Sequence, residues 1–147
     1  MVRKSATAAE GDLAGTYKLI STTETMLETG QAVLMKHRGS IMYGRDGRMM
    51  VVIVTGDRPK PASIETITDQ ERVELFRSMV ACGGTYKFDG KTIEHHIDVS
   101  SNEVWTGTSQ VRDVKREGGR LILITRPAPD PFNGKMASAT LVWEKVE

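Results

Sequence analysis

The chain has a single cysteine, Cys82, among its 147 residues. No internal disulfide can form, so the fold must be held by its core. Aromatic residues make up only 5% of the chain, and 20 basic side chains are interspersed with 19 acidic ones. Both shortages argue against nucleic acid, because single-strand binders need aromatic platforms and duplex binders need a concentrated basic face. No apolar run approaches the length of a membrane-spanning helix, so no membrane partner is expected. The opening stretch is small and polar, without a signal-like apolar segment. It reads as a flexible segment over residues 1–12 of a cytoplasmic protein, followed by a single domain over 13–147. Phosphate-binding glycine loops, nucleophile elbows and metalloprotease helices are also lacking.

What the chain does have is a succession of short β-rich runs separated by glycine turns. Asp46-Gly47, Asp89-Gly90 and Glu117-Gly118-Gly119 each divide two such runs, and Thr29-Gly30 is a weaker fourth. Asp-Gly between alternating hydrophobics predicts type I′ hairpins, whose two central residues both need positive φ. Repeated hairpins on one short chain predict an all-β, up-and-down antiparallel sheet that removes its edges by closing into a barrel. The expected strands run over 15–25, 40–43, 48–55, 85–88, 92–99, 106–115, 121–126 and 135–146, about eight in all. At about eight strands the interior holds side chains or one small ligand.

One principal helix is expected at about 68–82. Thr68 and Glu71 form a capping box at its start, Val73, Leu75, Phe76, Met79 and Val80 supply an apolar stripe, and Gly83-Gly84 ends it. A stripe of this kind predicts core packing, with the helix as a plug or lid over one barrel mouth. The run from Met49 to Val54 is apolar on both faces, as in a doubly buried strand. Its outer face calls for a cover, either the helix or a second subunit.

Candidate chemistry is sparse. Adjacent strand positions point to opposite faces, so His95 and His96 cannot serve one metal, and no further ligands are spaced to help. No metal and no cofactor are expected. His95 shares a parity with Ile93, Ile97 and Val99, which places it on an apolar interior wall where it needs a partner or a ligand. Gln110 and Arg112 share a parity with Thr106 and Thr108, which face either the lumen or water. Inside a barrel this stripe offers hydrogen bonds and a fixed positive charge to an anion. Arg126 falls at the rim, and Cys82 reads as a small buried thiol.

Several of these pieces occur together in one known family. Gly15-Thr16-Tyr17-Lys18-Leu19 resembles the first-strand Gly-x-Trp motif of lipocalin-type barrels. Tyr43-Gly44-Arg45-Asp46-Gly47, Gly84-Thr85-Tyr86, His95-His96, the run through Trp105, Gly107, Thr108, Gln110 and Arg112, and Leu141-Val142-Trp143-Glu144 follow in the order seen in bacterial and fungal lipocalin-like domains. The chain is thus similar to that family over most of 13–146. It departs by having Tyr17 in place of the usual tryptophan and Lys145 where an arginine often packs against it. The resemblance implies a calycin-type antiparallel barrel with an internal cavity, in a family of carriers and cofactor-free enzymes.

Three functions follow as expectations. The first is binding of a small, largely apolar molecule bearing a polar or anionic group, with Tyr43, Met49, Val51, His95, Trp105, Gln110, Arg112 and Trp143 as the wall. The second is a cofactor-independent isomerase, lyase or cyclase, with His95 as acid/base and Arg112 and Gln110 stabilising an oxyanion. The third is a structural module forming a homodimer through the outer face of the strand at 48–55.

Overall fold

A computed structural model describes residues 12–146, so residues 1–11 of the expected flexible segment lie outside the described residues. The strands are β1 (Gly15–Met26), β2 (Ala32–Met35), β3 (His37–Tyr43), β4 (Arg48–Thr55), β5 (Met79–Phe88), β6 (Thr92–Ser100), β7 (Ser109–Glu117), β8 (Arg120–Thr125), β9 (Ala128–Pro129) and β10 (Met136–Lys145), with helix α1 at Asp69–Arg77. Strands β1, β3, β4, β5, β6, β7, β8 and β10 pair antiparallel in that order, and β10 returns to β1 to close the ring. This is the eight-stranded barrel that turns and alternation predict. The short β2, absent from the sequence-based strand set, lies on the far half of β1, and β9 pairs with the start of β10.

The hairpins fall at the expected glycines, but they are not type I′ turns. Gly47 and Gly90 have positive φ (83° and 98°), whereas no other residue type does among those described. The aspartates instead keep ordinary backbone angles and cap the turns. Asp46 Oδ1 accepts from Arg48 N at 3.1 Å, and Asp89 Oδ1 accepts from Lys91 N and Thr92 N at 2.8 and 2.7 Å. A side-chain cap of this kind needs only one left-handed residue.

These hairpins define one end of the barrel. There the lumen is filled by Leu13, Tyr17, Leu19, Ile41, Tyr43, Met49, Ile93, Leu121 and Trp143, all buried in one cluster. Tyr17 donates to Leu13 O (2.9 Å), and Arg116 crosses to Asp12 O (2.7 Å) and lies 5.9 Å from the centre of the Phe88 ring. Tyr17 and Arg116 therefore close this end, and Lys145 is exposed. The longer connections, 27–31, 56–78, 101–108 and 126–135, gather at the opposite end.

The helix is shorter than expected and does not plug the lumen. It stops at Arg77, and the Met79, Val80 and Cys82 positions assigned to it, together with Gly83-Gly84, belong to β5. Helix α1 buries no residue, and Phe76 is 51% exposed. Its capping box is real: Thr68 Oγ1 accepts from Glu71 N (3.1 Å), and Thr68 N donates to Glu71 Oε1 (2.9 Å). Gly84 is needed for a different reason than helix termination. A Cβ there would overlap the His96 carbonyl on β6, so the glycine permits two strands to approach closely.

Bulges account for two departures in facing. Opposite Gly83 and Gly84 the register of β6 jumps from Val99 to Ile97, which turns Val99 outward although alternation placed it inside. In β1 the register jumps between Leu19 and Ser21, so Thr22 and Glu24 follow Tyr17 and Leu19 into the lumen. Strand β7 begins at Ser109, not Thr106, because 101–107 forms a turn held by Trp105 N to Asn102 O (3.1 Å) and Thr108 N to Trp105 O (3.0 Å). The outer face of β4 has no cover among the described residues: Met50 and Val52 are 56% and 45% exposed.

Candidate functional site

Strands β6 and β7 set the polar centre of the lumen. His95 pairs with Gln110, and Ile93 with Arg112, so these side chains project inward side by side. His95 is 4% exposed. Its Nε2 shares a 2.7 Å hydrogen bond with the Tyr43 hydroxyl, reaching from β3 across the lumen. The Tyr43 ring in turn meets Tyr86 edge-on (4.8 Å between centres) and Tyr17 (6.2 Å). Arg112 is partly buried and donates to Gln110 Oε1 at 2.7 Å.

The electrostatics follow from burial. Desolvation, reinforced by the nearby Arg112 guanidinium, pulls His95 down to about 3. Desolvation likewise pushes the Tyr43 phenol well above its usual value, with Arg112 opposing weakly. Around neutral pH the pair is therefore a neutral imidazole bonded to a neutral phenol. Cys82, also buried, has its thiol pushed up by burial. Arg112 forms none of the ion pairs among the described residues, although its guanidinium lies within a mostly apolar wall.

The remaining expected wall residues divide between the two halves. Tyr43, Met49 and Trp143 lie in the filled hairpin end, and the Trp143 indole N–H is buried there without a partner. Val51 is buried on β4, and Trp105 packs against the core from the β6–β7 connection. His96 is exposed and bonds to Ser109 Oγ (3.2 Å), and Arg126 sits at the rim with Asp113 (3.6 Å). Among the described residues no group of His, Cys, Asp and Glu could hold a metal ion. No helix among them is long and apolar enough to cross a membrane.

A second polar group escaped the sequence reading. Thr22 and Glu24 are 3% and 1% exposed, and neither Thr22 Oγ1 nor Glu24 Oε1 has a hydrogen-bond partner. Glu24 lies beside Asp130 and Asn133 of the β8–β10 connection. Desolvation, with the Asp130 carboxyl adding to it, raises Glu24 to about 7. Asp130 Oδ1 accepts from Phe132 N and Asn133 N (2.7 and 2.9 Å), and Phe132 packs on His37 with 4.7 Å between ring centres. The only sequence signal was a polar run, Thr22-Thr23-Glu24-Thr25, of a kind that usually faces water.

Two shallow depressions mark the outer surface. One of about 480 Å³ lies over Lys18, Arg38, Ser40, Val52 and Val54, and one of about 180 Å³ lies over Arg116, Gly118 and Leu121. Neither is lined by His95, Gln110 or Arg112.

A closed antiparallel barrel with hairpins at its filled end and polar side chains deep in its lumen defines the calycin-like class of ligand-binding folds. The chain belongs to the lipocalin-like domain family, whose sequence model matches residues 14–146. No curated protein and no solved structure matches it.

Proposed function

We propose that the barrel binds a small, largely apolar molecule through an anionic group held by Arg112 and Gln110. The observation that carries this reading is the lumenal guanidinium of Arg112, which no carboxylate among the described residues neutralises. A buried charge without a counter-ion is costly, and a ligand carboxylate or enolate would relieve that cost. Ala137, Ala139 and Leu141 alternate in phase with buried Trp143, so the side chains of the β10 wall become smaller toward the loop end, which suits an aliphatic body there. A neutral imidazole at about 3 is a weak base, which favours binding over proton transfer by His95.

Titration calorimetry with octanoate and octanol tests the proposal. Octanoate is expected to bind, and Arg112→Gln to weaken it by about 10- to 100-fold, as for loss of a charge-assisted hydrogen bond. Equal affinity for acid and alcohol, or indifference to Arg112→Gln, would remove the basis for an anion site.

A second reading concerns the outer wall. Met42, Met50 and Val99 are exposed and stand in one cross-strand row, with Gly83 between the last two. This row and Val52 favour a homodimer through β3 and β4, which native mass spectrometry of the chain and of Val52→Lys would detect or dismiss.

A further inference from the structure

Thr22 and Glu24 lie on one face of β1, buried inside the ring, and each keeps a polar atom without a partner. Buried polar atoms are nearly always satisfied, so two orphans at positions i and i+2 of one strand mark a place for something the described residues do not supply. Both can accept a hydrogen bond, and Asp130 stands beside Glu24 from the β8–β10 connection, with His37 of β3 beyond it. Among the described residues no cation forms an ion pair with Glu24 or Asp130. Two neighbouring carboxyls, of which Glu24 keeps an oxygen unpaired, are the inverse of Arg112: no cation among the described residues pairs with them.

The register fixes where this group lies relative to the anion site. Arg112 pairs with Thr125, Thr125 Oγ1 accepts from Ala139 N (2.8 Å), and Ala139 pairs with Glu24. The two groups thus lie on one line of paired residues, three strand spacings apart. That is roughly 14 Å along the curved wall, and less in a straight line.

We propose that Glu24 and Thr22 form a binding site for a protonated amine, and that the guest of this barrel is a dipolar aliphatic molecule spanning from that site to Arg112. The amine site deepens the anion-binding reading, and the dipolar guest rests on it. An ammonium donates several hydrogen bonds, enough for Glu24 Oε1 and Thr22 Oγ1 together, and its charge relieves the repulsion between Glu24 and Asp130. Because Glu24 titrates at about 7, a primary amine is expected to bind more tightly as the pH is raised through that value.

The test is calorimetry with octylammonium, octanoate and ω-aminooctanoate on the intact chain, Glu24→Gln, Thr22→Val and Arg112→Gln, each checked for folding by circular dichroism. Octylammonium is expected to bind the unmodified chain, to weaken by roughly tenfold or more in Glu24→Gln and by less in Thr22→Val. Octanoate is expected to ignore both substitutions. The ω-amino acid is expected to bind more tightly than either and to lose affinity at both ends. Octylammonium that fails to bind, binds Glu24→Gln equally, or shows no rise in affinity through neutral pH overturns the amine site. If octanoate still depends on Arg112 in that case, the anion reading survives alone. If octylammonium depends on Glu24 while octanoate ignores Arg112, the amine site stands and the anion reading falls.

Discussion

The two ends of this barrel bury polar groups in opposite ways. Toward the hairpin end, His95 and Tyr43 satisfy each other at 2.7 Å inside an apolar cluster. Toward the loop end, Glu24 is just as deeply buried but sits by another carboxyl with one oxygen unpaired. Burial disfavours the charged form in both cases. It lowers a base and raises an acid, so the two ends respond to pH with opposite sign. A wall that closes on itself holds both arrangements, because each is fixed by a different pair of strands.

The largest expected effect comes from acid. His95 has a depressed value, so its contribution is fully present above 6.5 and is lost as the pH falls toward about 3. Over that window it amounts to at most about 5 kcal/mol. Denaturant unfolding at several pH values checks this, with His95→Gln losing less stability on acidification than the unmodified chain. A parallel decline in both would separate the acid response from His95.

Raising the pH gives a smaller and opposite effect. Glu24 is raised, so its contribution is complete below 4.5 and is lost as the pH rises through about 7. Without ligand, Glu24→Gln is expected to be more stable than the parent above neutral pH, by up to about 3 kcal/mol. It is expected to show no such advantage in acid. Thermal melts across this range decide it, and an unchanged pH profile in the variant would mean that Glu24 is solvated.

The smallest effect belongs to α1. Phe76 is exposed, so Phe76→Ser is expected to shift stability by less than about 0.5 kcal/mol. A loss of several kcal/mol, read by the same melts, would show the helix packed against the barrel mouth.

The barrel was legible because glycine turns and strand alternation act locally. Gly47 and Gly90 bend the chain wherever it goes, and the alternation of Ile93, His95 and Ile97 placed His95 inside without any knowledge of its neighbours. The helix was misjudged for an equally local reason. Val73, Leu75, Phe76, Met79 and Val80 fit a helical stripe, but Met79 and Val80 are taken up by the ladder to β4, whose pairs run from Val54–Met79 to Arg48–Thr85. Backbone pairing with a distant strand overrode the local pattern.

The sequence by itself determined that there would be hairpins, roughly eight strands, one capped helix and an inward His95, because these depend on residues a few positions apart. Only the tertiary structure decided that Thr22 and Glu24 turn inward, that Tyr43 reaches His95, and that Arg112 and Glu24 fall on one line of paired residues. The physical reason is the bulge at Leu19–Ser21 and the closure of β10 on β1. A one-residue slip reverses every side chain beyond it, and ring closure sets which distant strands face each other.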